Sequence, residues 1–187
     1  MSSSFEIEDK PSSKPKLVHW GFRIEEEVLD NIRKVARRSD TTVSNQTNKI
    51  LKNWVTRDIY FQELGFIPMS KDIIRAWLSK IEQKDLVIQA KDFGSLANEF
   101  IIYFFGEVNE NTLIKFLDIF LSRFQAYQHS TENMTHYFSI NHDICINYSV
   151  FLSELLKAFI EPVIERPIKI SSISPKIISI SFNVKCT

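Results

Sequence analysis

Apolar and polar side chains alternate strictly along residues 18–24, with the two-residue period of a β-strand. Val18, Trp20, Phe22 and Ile24 form the apolar face, and His19, Gly21 and Arg23 form the polar or small one. A lone strand of this length, placed at residues 17–24, is not stable and must pair. The expected partner is the same strand of a second copy of the chain. Because a two-stranded ribbon fits the DNA major groove, the pattern predicts a dimer that contacts DNA.

Two segments of helical periodicity follow the strand and are joined by a short turn. The first begins at the carboxylates Glu25–Glu27 and ends at the cations Arg37–Arg38, charges that suit the two ends of a helix. The turn at residues 39–42 leads into the second helix, with Thr42 or Ser44 as its N-cap. The apolar positions are Val28, Leu29, Ile32, Val35 and Ala36 in the first helix and Val43, Ile50, Leu51, Trp54 and Val55 in the second.

This strand-helix-turn-helix order, with the segment 23–36 and the Val43-Ser44-Asn45 start of the second helix, resembles the ribbon-helix-helix family of DNA-binding proteins of the Arc and MetJ type. The resemblance covers roughly a quarter of the chain. It implies that outward strand residues read bases and that the second helix holds phosphate at its N-terminus. The matching positions are His19, Gly21 and Arg23 for base contacts, and Thr42, Val43, Ser44 and Asn45 for phosphate contacts.

Two positions depart from the family pattern. The turn between the helices often carries glycine, whereas this chain has Asp40, a residue that tolerates a left-handed backbone. The middle outward position is Gly21, which has no side chain to read a base, so direct readout rests on Arg23 and His19, with guanine as the natural partner of arginine. The alternative interpretation of residues 17–57 is a strand and helical hairpin that serves only dimerisation.

Charge is distributed unevenly in a chain whose 23 basic and 23 acidic side chains balance overall. Residues 14–57 contain ten basic and five acidic side chains, so this segment carries +5 and the remainder −5. A basic N-terminal segment on an acidic body suits a module that touches phosphate. Because the excess is modest, we expect weak and salt-sensitive non-specific binding.

Length predicts a second domain, because 187 residues far exceed what a ribbon-helix-helix unit needs. We expect a disordered tail at 1–16, the ribbon-helix-helix domain at 17–60 and a helix-rich α/β domain with a small sheet at 66–187, an α+β chain as a whole. The second helix is expected to run on through Ile59, Tyr60 and Phe61 until Gly65 and Pro68 break it. In the second domain, helices are predicted from Ser70, over about 84–105, from Asn109 or Asn111, and over 148–164. Gly94, inside the second of these, permits close packing or marks a break. Strands are predicted at 135–145, 168–171 and 177–182, the last two as a hairpin around Ser174-Pro175, with Pro162 and Pro167 bounding the loop before it.

Candidate chemistry in the second domain is sparse. His129, His136, His142, Asp143 and Cys145 are metal-ligand types, but their spacing matches no zinc pattern, and we predict no metal site and no cofactor. No glycine-rich phosphate loop, nucleophile elbow or metalloprotease motif is present, so no enzyme activity is expected. The many aromatic residues indicate a packed core, a pocket for a hydrophobic effector or a dimer interface. The pocket candidates are Phe93, Phe100, Tyr103, Phe104, Phe105, Phe116, Phe120 and Phe124.

The sequence therefore predicts a homodimeric, sequence-specific transcriptional regulator that reads the major groove of double-stranded DNA with a β-ribbon. A higher oligomer is compatible with it, and the second domain is expected to oligomerise, sense a small molecule or bind a protein. The alternative function is an antitoxin-like or scaffold interaction protein whose C-terminal domain binds a protein partner. With no membrane span, no signal peptide and two cysteines, the expected location is the cytoplasm.

Overall fold

The computed structural model describes residues 18–19, 21–124 and 126–184 and divides the chain into two compact units between Ile50 and Leu51. The fold is α+β, with helices in both units and a four-stranded antiparallel sheet in the second. The predicted tail at 1–16 lies outside the described residues, as do Leu17 and Trp20 of the predicted strand. Within the described ranges, no helix is long and apolar enough to cross a membrane.

The first unit contains the two predicted helices, α1 (Glu26–Arg38) and the greater part of α2 (Val43–Asn53). Residues 18–19 and 21–25 have no regular secondary structure within the single chain. The strand predicted there needs a partner strand to form its hydrogen bonds, so a β-ribbon is a property of two chains. It stays a prediction.

The turn between α1 and α2 contains a left-handed residue at Asp40, whose residue type tolerates this conformation. Asp40 has φ 47°, its N–H donates to the carbonyl of Arg37 at 3.3 Å, and the N–H of Thr41 donates to the carbonyl of Ala36 at 3.0 Å. These two bonds are those of a Schellman motif, which satisfies the last carbonyls of a helix. An aspartate thus fills the place that glycine often takes, and the helix ends there.

The second helix runs on into the second unit, as predicted. A π-helical turn (Trp54–Asp58) and α3 (Ile59–Glu63) follow α2, and the run ends before Gly65, which has φ 75°. The remaining helices are α4 (Lys71–Leu78), α5 (Gln83–Gly94), α6 (Ala97–Phe105), α7 (Glu110–Leu121) and α8 (Ile146–Ile164). Two predicted caps are confirmed: Ser70 accepts the N–H of Ile73 at 3.3 Å, and Asn109 forms a capping box with Thr112.

The helix predicted over about 84–105 is two helices, and the break follows Gly94, the residue at which a break or close packing was expected. A Cβ atom at this position would lie 2.1 Å from the Cβ atom of Ala158 on α8. Since real Cβ contacts are never this short, glycine is required for α5 and α8 to pack against each other. Gly94 therefore serves both as the end of α5 and as the point of close helix contact.

The sheet contains β1 (Ala126–Glu132), β2 (Thr135–Asn141), β3 (Lys169–Ile173) and β4 (Ile177–Asn183) in the order β1-β2-β4-β3. The β3-β4 hairpin around Ser174-Pro175 is confirmed, whereas β1 was not predicted. The strand predicted at 135–145 ends early, because the N–H groups of His142 and Asp143 donate to the carbonyl of Lys176 and Asp143 has φ 52°. Pro162 lies inside α8 and not in a loop, a correction to the prediction.

The core of the second unit lies between one face of the sheet and the helices α5–α8. Phe138, Ile140, Ile178 and Ile180 supply the sheet side, and Phe116, Leu117, Leu156 and Ile160 are among the residues that supply the helical side; all are at most 1% exposed. Burial of this apolar surface is the main stabilising contribution to this unit.

His142 is a fully buried polar residue at the end of β2. Its Nδ1 accepts the N–H of Ile144 at 3.1 Å, so its Nε2 carries the proton and donates to the hydroxyl of Ser149 at 2.8 Å. That hydroxyl in turn donates to the carbonyl of Ser174. Burial, reinforced by the positive charge of Lys71, lowers the pKa of His142 to about 4.

We expect the stability of the protein to fall as the pH is lowered from about 6.5 to 4. In this range the unfolded chain binds a proton on His142 and the folded chain does not, so the free energy of unfolding falls by about 3 kcal/mol. Urea denaturation of wild type and His142→Gln measures the effect, and the variant should show a flatter pH dependence. An NMR titration that places the pKa of His142 near 6.5 in the folded protein would contradict this prediction.

Candidate nucleic-acid interface

The three predicted base-contact residues are accessible in the single chain. His19, Gly21 and Arg23 are all exposed, and none of them belongs to a helix or strand there. A guanidinium at the surface can donate two parallel hydrogen bonds to guanine, and an imidazole can donate or accept one. In the single chain these residues are accessible to a ligand, but no helix or strand fixes their positions relative to one another.

The four predicted phosphate-contact residues form the start of α2. Thr42 is the N-cap, since its hydroxyl accepts the N–H of Asn45 at 3.1 Å and its carbonyl accepts the N–H of Gln46 at 2.9 Å. Ser44 and Asn45 are exposed, Val43 is half-buried, and the first turn of α2 contains no acidic residue. The first N–H groups of a helix lack intrahelical partners, so this end can donate hydrogen bonds to a phosphate oxygen.

Charge in the described part of the first unit is more balanced than the full segment suggested. Residues 18–50 hold six basic and five acidic side chains, and Arg33 pairs with Asp30 at 2.9 Å. The acids are Glu25, Glu26, Glu27, Asp30 and Asp40. All of them except Asp40 lie at or near the start of α1. The first turn of α2 contains no carboxylate.

The first unit buries very little of its apolar surface. Among its described residues only Ala36 and Gln46 are buried. Five large apolar side chains that the sequence placed on inward faces remain exposed: Val18 (78%), Phe22 (50%), Val28 (44%), Val35 (41%) and Ile50 (44%). A unit of this size needs a much larger buried area to fold stably. In the single chain these apolar side chains therefore add little to the stability of the unit.

The metal-ligand residue types in the second unit separate into two groups. His129 lies between Asp118 and His136, with Nδ1 2.8 Å from Asp118 Oδ1 and Nε2 2.8 Å from His136 Nδ1. The hydroxyl of Tyr127 also donates to Asp118. His142 is separate from this group, because its ring nitrogens contact Ile144 and Ser149. Within the ranges that the structure describes, no three His, Cys, Asp or Glu side chains converge as metal ligands.

The aromatic candidates divide between the core and a pocket. Phe93, Phe100 and Phe120 line an apolar pocket in the second unit, whereas Phe116 is a fully buried core residue. The other four candidates, Tyr103, Phe104, Phe105 and Phe124, do not line it. Arg123 was not predicted as a candidate residue. Its guanidinium lies over the rings of Phe61, Phe66 and Phe120, and no local pattern connects the first two to it.

No protein-family model, curated protein or solved structure matches this chain.

Proposed function

We propose that the chain is a homodimeric, sequence-specific DNA-binding regulator that reads the major groove with a two-stranded β-ribbon. The observation that carries this proposal is the exposure of four apolar side chains of the first unit, Val18, Val28, Val35 and Ile50. A second copy of the same unit supplies an equal apolar face about a two-fold axis. Pairing of the two segments then satisfies the backbone groups of residues 18–24 and buries Val18 and Phe22.

The alternation of side chains determines what such a ribbon presents to DNA. When Val18 and Phe22 face the interior, His19, Gly21 and Arg23 face outward. Arg23 donates to the O6 and N7 atoms of guanine, His19 makes one further base contact, and Gly21 lets the backbone approach closely. The start of α2 at Thr42–Asn45 binds a phosphate and fixes the register of the ribbon along the duplex.

Two substitutions at the α2 N-cap test the phosphate contact. Asp and Asn both cap helices well, so Thr42→Asp and Thr42→Asn should keep the fold. Thr42→Asp places a carboxylate beside the bound phosphate in each subunit, so we expect affinity for mixed-sequence duplex DNA to fall about tenfold. Thr42→Asn should bind like wild type. Fluorescence anisotropy at several salt concentrations measures this, and equal affinities of the two variants would contradict the assignment.

The alternative function, protein interaction through the second unit, is favoured by one observation. Ile73 and Trp77, one helical turn apart on α4, are 58% and 61% exposed. Exposed tryptophan is frequent at the centre of protein interfaces. The full-length Trp77→Glu variant distinguishes the two functions. Loss of a stoichiometric protein partner from this variant would favour protein interaction. Specific DNA binding retained by the variant would favour the regulator.

A further inference from the structure

An apolar pocket of 460 Å³ opens on the second unit. Its deepest residues, Phe120, Leu155 and Phe159, are at most 8% exposed, whereas Ile67, Phe93 and Leu96 are between 37% and 77% exposed. The buried residues come from α7 and α8, and the exposed ones from the loop after α3 and from the region where α5 gives way to α6. The pocket therefore has an apolar floor and an apolar mouth.

Every residue that lines the pocket is apolar or glycine. In addition to the six residues named above, the lining contains Leu64, Gly65, Phe66, Phe100 and Phe151. Such a lining offers dispersion contacts and no hydrogen-bonding side chain, so it favours a hydrocarbon group over a polar one. The volume falls within the range of small-molecule sites in proteins.

Arg123 is not one of the lining residues, but its side chain lies against two of the pocket's aromatic rings. The guanidinium carbon of Arg123 is 4.4 Å from the ring centroid of Phe120 and 5.1 Å from that of Phe66. It also lies 4.5 Å from the centroid of Phe61, and its Nε donates to the carbonyl of Phe120 at 3.0 Å. The rings desolvate part of the guanidinium while the residue as a whole keeps exposed surface.

The charge of Arg123 is not balanced by a carboxylate. Within the part of the chain that the structure describes, no Asp or Glu oxygen lies within 4 Å of its nitrogens. The positive charge of Arg57 also acts on it, and Arg57 itself pairs with Asp58 at 2.6 Å. Of the five N–H donors of a guanidinium, the carbonyl of Phe120 uses one. The remaining donors suit an anion.

We propose that this pocket binds an aliphatic carboxylate, with the hydrocarbon chain among the phenylalanines and the carboxylate on Arg123. The apolar lining selects the chain, and the cation beside Phe66 and Phe120 selects the charged head group. The carboxylate then forms a charge-assisted pair that a neutral head group of the same size cannot form. This site is independent of the DNA-binding proposal, because it uses residues of the second unit alone.

Calorimetric titration of the full-length protein with dodecanoate, decanoate and dodecanol, each below its aggregation concentration, tests the site. We expect affinity to rise about fourfold for each added methylene, as burial of hydrocarbon predicts. Dodecanoate should bind at least about tenfold more tightly than dodecanol, because only the acid pairs with Arg123. These measurements use wild-type protein and need no variant to fold.

Three variants locate the ligand. Arg123→Gln should remove the preference for the acid over the alcohol and keep binding of the chain, whereas the control Arg166→Gln should change neither affinity. Leu96→Trp, at the exposed mouth, should weaken both ligands by about tenfold through loss of space. The proposal is overturned if the acid and the alcohol bind equally, if dodecanoate does not bind at millimolar concentration, or if Leu96→Trp leaves both affinities unchanged.

Discussion

Replacement of Arg23 by alanine is expected to lower affinity for the specific DNA site by about a hundredfold or more and to leave the dimer intact. A bidentate arginine–guanine contact contributes about 1–3 kcal/mol of discrimination, and a symmetric dimer makes it twice. Because Gly21 has no side chain, the loss at Arg23 is not compensated from the same face. Binding to the selected site and to a scrambled duplex is measured by anisotropy, and the dimer by sedimentation.

Two control variants separate base reading from charge. Arg23→Lys keeps the positive charge but loses the planar fork, so it should retain non-specific affinity and lose most specificity. Arg166→Ala removes an arginine from the second unit and should bind DNA like wild type. The base-contact assignment is wrong if Arg23→Ala keeps the ratio of specific to non-specific affinity.

Replacement of Val18 by glutamate is expected to weaken dimerisation by at least about a hundredfold. Val18 is 78% exposed in the single chain, so a polar residue there costs the isolated subunit almost nothing. In the dimer each copy loses the burial of one valine, about 1.5–3 kcal/mol, and two carboxylates approach across the two-fold axis. Sedimentation equilibrium over a concentration series measures the dissociation constant.

The neighbouring position provides the matched control. His19→Glu introduces the same carboxylate one residue further along, on the outward face of the predicted ribbon. It should leave the dimer unchanged and weaken DNA binding by repelling phosphate. If both variants dimerise like wild type, residues 18–24 are not the interface, and the ribbon proposal fails together with its assignment of faces.

Local features of the fold were predictable from the sequence because short-range chemistry determines them. The caps at Ser70 and Asn109 and the left-handed turn at Asp40 depend on side chains within three residues of the backbone groups they affect. The β3-β4 hairpin follows from two alternating apolar runs around Ser174-Pro175. Each of these patterns is complete within a few residues.

Features that depend on contacts between distant residues were missed or misplaced. Strand β1 has mostly exposed, polar residues because it lies at the edge of the sheet, so it lacks an apolar alternation. The close approach of α5 and α8 at Gly94 depends on Ala158, more than sixty residues away. Two of the three rings against Arg123, Phe61 and Phe66, come from a distant part of the chain. Periodicity holds no information about such pairs.

The candidate DNA interface was predictable to the extent that it is local. The cap at Thr42 and the acid-free first turn of α2 follow from the sequence and are present in the structure. The pairing of two strands involves a second chain, so neither periodicity nor the structure of one chain determines it. The exposed side chains of Val18, Val28 and Val35 are what this pairing would leave on a single subunit.

Selection of bound duplexes from a random DNA library, at a stated salt concentration, shows directly whether the chain reads DNA sequence as a symmetric dimer. A two-fold symmetric ribbon predicts enrichment of a motif with two inverted half-sites, each containing a guanine that Arg23→Ala no longer selects. The spacing of the half-sites would give the geometry of the dimer on DNA. A library that shows no enriched sequence after repeated rounds, for a protein that is folded and dimeric, would contradict the claim.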